Sequence, residues 1–287
     1  MDRRGVCRQI GRWIVATGCL VSNVVAMAAD GPVYRFSPVN QWDIQKTAAY
    51  WNPIIQYVSQ KSGVAMTLKI GRTSADTTAY VLAQEVEFVF SNHLFSPERE
   101  KLGWKVFGRR WTPPLHGEIA VPANSPVQKL EDLRGQEVVF AGPEAFIGYK
   151  LPAAQLHTKG IDFKPVFAGN QNAAFAQMFA GKAAAVGSNS ALIEGYSRKE
   201  GKPFRVLWTS EAFHDLALMA SNRVPEKDLR AVASAFIGMH KDPMGKSILL
   251  KASQDVGLDL QAYFLPANAE DYAAYRRFYQ TAPAHLR

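Results

Sequence analysis

Apolar and polar positions alternate along this chain with two different periods, and the order of those periods predicts an open α/β sheet. Val33-Tyr34-Arg35-Phe36-Ser37-Pro38 reads as a short strand closed by Pro38 and Asn40. Ile44, Ala48, Trp51, Ile55 and Val58 then recur every three or four residues, the stripe of an amphipathic helix that Gly63 stops. Val64, Met66, Leu68 and Ile70 alternate as a half-buried strand, and Thr73 or Ser74 caps a second helix running to about Gln84. Phe88-Val89-Phe90 is a continuous apolar run, as in a strand covered on both faces, and it ends at Ser91-Asn92-His93.

A second set comes after it. Strands are expected at 118–121, 137–141, 163–167, 184–188 and 205–208, with helices opening near Leu130, Pro143, Ala173 and Ser190. Leu216-Ala217-Leu218-Met219-Ala220 is a further apolar strand, after which Pro225 opens a largely helical C-terminal stretch. Two strands, near Gly117–Val121 and Leu216–Ala220, are expected to carry the chain across and back. The expected fold class is therefore α/β in two lobes, each an open and mostly parallel sheet flanked by helices. Lobe 1 is discontinuous, 29–118 with 213–287, and lobe 2 is 119–212. Ligands of such sheets gather at strand C-termini and helix N-termini between the lobes.

Composition narrows the class. Hydrophobic residues make up 47% and charged residues 20% of the 287, which excludes a disordered or coiled-coil chain. The formal charge of +8 would point to nucleic acid, but Arg3, Arg4, Arg8 and Arg12 precede an apolar run from Trp13 to Val25 and the small residues Ala26-Met27-Ala28. That is the pattern of a secretory signal peptide, residues 1–28. Its loss removes four arginines and Asp2 from 33 basic and 25 acidic residues, leaving +5. Both cysteines, Cys7 and Cys19, fall in the leader, so thiol chemistry and disulfides are excluded from the rest. The short pairs Arg109-Arg110 and Arg276-Arg277 lack interleaved aromatics, and no nucleic-acid partner is expected; one of the first pair could reach the cleft. His93, His116 and His214 with Asp215 lack any metal-binding spacing, and no metal or cofactor is expected.

Several segments together carry a resemblance: Asn40 after the first strand, Trp51-Asn52-Pro53-Ile54-Ile55, Asp132-Leu133-Arg134-Gly135, Gly169-Asn170-Gln171-Asn172-Ala173-Ala174, Gly181 to Gly187, and Phe264-Leu265-Pro266 through Asp271-Tyr272. In order and spacing the chain resembles the phosphate/phosphite/phosphonate-binding periplasmic receptors of ABC importers. The resemblance implies a type II two-lobed periplasmic binding protein without catalytic activity. It implies a monomer that closes over a small oxyanion and delivers it to a membrane permease. The alternatives are a clamp that reports its ligand to a signalling partner, and the same clamp re-purposed for a non-phosphorus ligand.

The family cradles its oxyanion at a helix start in the second lobe, where unpaired amides and the positive dipole end favour an anion. Here that turn reads Gly142-Pro143-Glu144-Ala145-Phe146-Ile147-Gly148-Tyr149. The hydroxyls are absent, Pro143 has no N–H, and Glu144 would repel an anion. Glu144 has three readings: a solvated first-turn carboxylate, a partner for a ligand ammonium, or a contact between lobes. Asn170, Gln171 and Asn172 replace a Ser-His-Glu segment; the asparagines either cap the next helix or meet the ligand. In lobe 1, Asn40, Ser74, Thr77, Asn92 and His93 are the expected ligand residues, with turn geometry, capping or packing as their competing roles. Phe146 and Tyr149 are expected to wall the cleft.

Overall fold

The computed structural model describes residues 31–258 and 263–287; the leader read over residues 1–28 lies outside them. Tyr34–Pro38 forms β1, and Asp43 starts the helix α1 (Ile44–Ser62) by accepting from the Lys46 amide. The buried residues of α1 are Thr47, Tyr50, Trp51, Ile54, Ile55, Tyr57 and Val58. Ile44, the first residue of the expected stripe, is exposed in the first turn of the helix. Then come β2 (Met66–Leu68), α2 (Ser74–Leu82), β3 (Phe88–Ser91) and the single turn α3 (Pro97–Glu100). Every residue of β3 is buried, as its unbroken apolar run predicts.

The chain leaves this sheet by β4 (Lys105–Arg110), a strand that the hydrophobic pattern does not predict, and enters the second sheet by β5 (Leu115–Pro122). The elements β6 (Glu137–Phe140), α4 (Leu151–Thr158), β7 (Lys164–Phe167), α5 (Gln171–Phe179), β8 (Ala185–Asn189) and α6 (Ser190–Glu200) come next. Strand β9 (Phe204–Phe213) then leads back to β10 (Ala217–Ala220) in the first sheet. Helices α7 (Glu226–Gly238) and α8 (Pro243–Val256), strand β11 (Phe264–Pro266) and helix α9 (Ala273–Thr281) complete the described chain.

The first sheet has the order β11-β4-β10-β3-β1-β2 and the second β7-β6-β8-β5-β9. Each contains a parallel trio, β2-β1-β3 and β7-β6-β8, flanked by antiparallel strands that bring the chain in and out. Both sheets are thus mixed, and both repeat one design. The crossings lie in residues 111–114, between β4 and β5, and 214–216, between β9 and β10, each ahead of the strand that was expected to make it. The C-terminal turn, expected with the first sheet, packs Ala282 and Leu286 beneath the second with Ile119, Val121 and Leu156. Helix α9 and its neighbour Tyr272 bridge the two, with Tyr272, Tyr275 and Tyr279 sharing a cluster with Val89 of β3 and Phe146 and Phe213 of the second lobe.

Candidate functional site

Between the sheets lies a cavity of about 60 Å³, bordered by Asn40, Gln41, Asn92 and His93 from the first lobe and by residues 145–148, Gln171 and Asn189 from the second. Val39, Leu192 and Leu216 add an apolar share to the wall. Among the described residues, no Asp, Glu, Lys or Arg borders it. The cavity's polarity comes from amides and one imidazole.

Asn40 lies just beyond β1 and is 3% exposed. Its amide donates to the Gly71 carbonyl at 2.9 Å, and the Thr77 hydroxyl donates to its Oδ1 at 2.5 Å. The Gly71 N–H in turn donates to Thr77 Oγ1 at 3.2 Å. A side chain at Gly71 would collide with α2, since a Cβ there would fall 2.6 Å from the Thr77 nitrogen. Thr77 therefore acts behind Asn40 and does not itself border the cavity. The side chain of Ser74 lies outside the described residues.

Asn92 and His93 lie just beyond β3 and are buried. His93 Nδ1 is 2.8 Å from the Thr78 hydroxyl, and its amide donates to Ser91 Oγ at 3.1 Å. Burial pushes the His93 imidazole down to about 4, so it is neutral at physiological pH and donates or accepts as a dipole. Gln41, which sequence reasoning missed, is held by Arg110, whose Nη2 donates to Gln41 Oε1 at 3.1 Å. Arg110 Nε pairs with Asp215 Oδ2 at 2.7 Å, and both side chains are almost fully buried. Of the two neighbouring arginines, then, Arg110 points inward, and Asp215 is its counterion. No group of three or more metal-ligating side chains occurs among the described residues.

In the second lobe the expected helix at Pro143 opens later. Residues Phe146–Lys150 wind a wide π turn that continues into α4, and Ala145 at its start gives no side-chain cap. The Ala145 carbonyl takes the amides of Tyr149 and Lys150, at 2.7 and 3.0 Å. The amides of Phe146, Ile147 and Gly148 open the turn, so no carbonyl within it lies far enough before them in sequence to accept. Such insertions frequently mark functional sites. Pro143 and Glu144 sit ahead of these amides, so neither stands among them, while the family's hydroxyls remain absent from the turn.

Glu144 does not border the cavity. Its carboxylate takes two hydrogen bonds from Arg99, at 2.6 and 2.9 Å, and lies 3.7 Å from Lys150 Nζ. Burial by itself would raise the Glu144 carboxyl, but the Arg99 hydrogen bonds and the surrounding positive charge outweigh it and hold the group at about 2. Phe146 borders the cavity while packing its ring against Phe213, Tyr275, Phe278 and Tyr279. Tyr149 faces away, against Phe140 and Phe167. Asn170 caps α5 by accepting from the Ala173 amide at 2.9 Å, and Asn172 faces a separate groove with Trp42 and Lys46. Gln171, 3% exposed, reaches the cavity and leans its amide toward the Gly187 carbonyl at 3.4 Å. Asn189 ends β8 and caps α6. Its place after a central strand matches that of Asn92 after β3, the signal by which the sequence could have found it.

The structure thus brings Asn40, Asn92, His93, Phe146 and Gln171 together and leaves Thr77, Glu144, Tyr149, Asn170 and Asn172 around them. A family model described as ABC transporter, phosphonate, periplasmic substrate-binding protein matches residues 36–272. The fold is similar to a binding-protein component of an ABC phosphonate transporter from Pseudomonas aeruginosa (15% identity, 88% of this chain and 87% of that one, TM-score 0.74). It is also similar to PhnD1 from Prochlorococcus marinus, solved with methylphosphonate (15% identity, 86% and 97%, TM-score 0.72). More distantly it resembles the GluR0 ligand-binding core from Nostoc punctiforme, solved with L-glutamate (17% identity, 77% and 98%, TM-score 0.53). At these identities the structures share a fold, the type II periplasmic binding fold. A search of curated protein sequences gives no match.

Proposed function

The chain belongs to the phosphonate-binding periplasmic substrate-binding proteins of ABC transporters, and from that membership we propose that its interlobe cavity holds a small phosphonate-type oxyanion through neutral donors alone. The observation that carries this reading is the uncapped turn Phe146–Lys150, whose opening residues 146–148 border a cavity otherwise walled by Asn40, Gln41, Asn92, His93, Gln171 and Asn189. Helix-start amides stabilise an anion without contributing a formal charge. Val39, Leu192 and Leu216 accept a short alkyl group. An aminoalkylphosphonate is a poor match, because Glu144, the carboxylate nearest the turn in sequence, is already committed to Arg99 and Lys150. The ligand leaves unchanged, handed to a membrane permease.

On the same reading the protein works as a periplasmic monomer exported by its leader. Its clamp joins the ends of the chain, up to residue 110 and 217–266, to the middle, 115–213, with α9 and the C-terminal turn packed onto the middle as well. The test is a thermal-shift and calorimetric screen of residues 29–287 against methylphosphonate, phosphite, phosphate, 2-aminoethylphosphonate and amino acids. A ligand at 100 times its Kd stabilises by about 2.7 kcal/mol. Methylphosphonate or phosphite is expected to raise the midpoint, and 2-aminoethylphosphonate to raise it less. A response to amino acids, with none to any oxyanion, would overturn the reading.

A further inference from the structure

Besides the aromatic cluster around α9, two further contacts join the lobes through residues that do not line the cavity. In one, Arg99 of α3 grips Glu144 with both terminal nitrogens, and Lys150 stands behind the same carboxylate. The three side chains are 4–22% exposed. Arg99 is braced on its own lobe by the His93 carbonyl, to which its Nη1 donates at 2.9 Å, and the His93 ring borders the cavity. Lys150 is braced on its side by the Tyr279 ring, 4.9 Å from its nitrogen.

In the other, α6 meets the end of α8. A Cβ on Gly195 would fall 2.8 Å from the Gly257 carbonyl oxygen, so the two backbones touch only because residue 195 has no side chain. A glycine inside a helix costs up to ~1 kcal/mol relative to alanine, and here the close approach explains its presence. Lys199 Nζ donates to the Asp255 carbonyl at 2.6 Å and Arg198 Nη2 to the Gly257 carbonyl at 3.3 Å, placing cations on the negative end of α8.

We propose that the Arg99–Glu144–Lys150 triad is a latch that holds the two lobes closed in the absence of ligand, so that the cavity is assembled before a ligand enters it. Opening would separate Glu144 from Arg99 while leaving Lys150 beside it, breaking two charge-assisted hydrogen bonds, each roughly twice as strong as a neutral one. The braces on either side keep Arg99 and Lys150 in place, which lowers the entropy lost when the lobes meet. The latch needs no ligand contact. It therefore stands or falls separately from the identity of what binds.

Small-angle X-ray scattering on ligand-free protein tests it, with Gly195→Leu as an open reference made by a wedge between α6 and the end of α8. Wild type is expected to scatter as the compact form and Gly195→Leu as an expanded one. Glu144→Gln leaves two cations facing each other without their anion, and is expected to scatter like the wedge variant, raising the open fraction at least tenfold. Arg99→Lys, which keeps one ion pair, should fall between them. Sodium chloride at 1 M should open wild type and leave Glu144→Gln unchanged, because salt screens a part-exposed ion group. Circular dichroism establishes that each variant is folded; should Glu144→Gln prove unfolded, Arg99→Ala takes its place. Ligand-free wild type as expanded as Gly195→Leu, or a folded Glu144→Gln as compact as wild type, would overturn the proposal.

Discussion

The two parallel trios of this protein each place one strand at the centre, β1 and β6, and the chain leaves those two strands differently. After β1 it turns through Val39–Asp43 and starts an ordinary helix, with Asp43 accepting from the Lys46 amide. After β6 it turns through Ala141–Ala145 and starts a wide turn with no side-chain cap. The first turn satisfies its own donors and offers side chains to the cavity, Asn40 and Gln41. The second leaves amides open and offers the backbone. Equivalent places in a repeated design thus differ: on one wall of the cavity the turn after β1 presents fixed side chains, and on the other the turn after β6 presents its opening backbone beside the side chains of Gln171 and Asn189.

The first wall fails most completely when the group standing behind it is removed. Arg110 holds Gln41 and is paired with Asp215 in a dry setting. Arg110→Ala leaves Asp215 buried without a partner, and about 3–5 kcal/mol of stability should be lost, read by urea denaturation. A loss under about 1 kcal/mol would show that the pair is dispensable.

A matched pair of substitutions sets one wall against the other. Gln171→Ala removes an amide from the cavity's second wall and should weaken oxyanion binding about tenfold, roughly 1.4 kcal/mol, with little change in melting temperature. Asp43→Ala removes the cap of α1 and should cost about 1 kcal/mol of stability while leaving affinity unchanged. Calorimetry and thermal melts on the same samples separate the two. Should Asp43→Ala weaken binding as much as Gln171→Ala, the division of labour is wrong.

A more gradual effect lies in the pH dependence. His93 falls from its ordinary 6.5 to about 4 by burial, so the unfolded chain binds a proton that the folded one refuses across that window. Stability then rises with pH there, by a slope approaching about 1.4 kcal/mol per pH unit, and is lost on acidification from 6.5 towards 4. Glu144, held at about 2 against an ordinary 4.5, adds a second loss as pH falls from 4.5 towards 2. Denaturation curves across pH 3–8 should show both limbs. His93→Gln should flatten the upper limb and Glu144→Gln the lower.

Much of the fold was readable from local pattern. The run Phe88–Phe90 is a strand buried throughout, and Thr73, read as a cap, accepts from the Asp76 amide at the start of α2. The strand β4 was missed because its sequence, Lys105-Val106-Phe107-Gly108-Arg109-Arg110, carries charge where a buried strand carries none, and the charge of Arg110 is offset by Asp215, 105 residues away. Asn40, Asn92, His93 and Gln171 were legible as strand-end or helix-start polar residues. Gln41 and Asn189 share that placement and were passed over.

Hydrophobic period and capping act over a few residues, so the order of residues alone settled the elements, their alternation and the positions where strands end in polar side chains. It left three meanings open for Glu144. Folding chose among them, since the carboxylate's partners, Arg99 45 residues before it and Lys150 across a π turn, meet it only in the packed molecule. The same holds for the start of that turn. Whether an amide is paired within the backbone or faces a cavity depends on where the turn begins, and the packing of Phe146 among Phe213, Tyr275, Phe278 and Tyr279 sets that start from the far end of the chain.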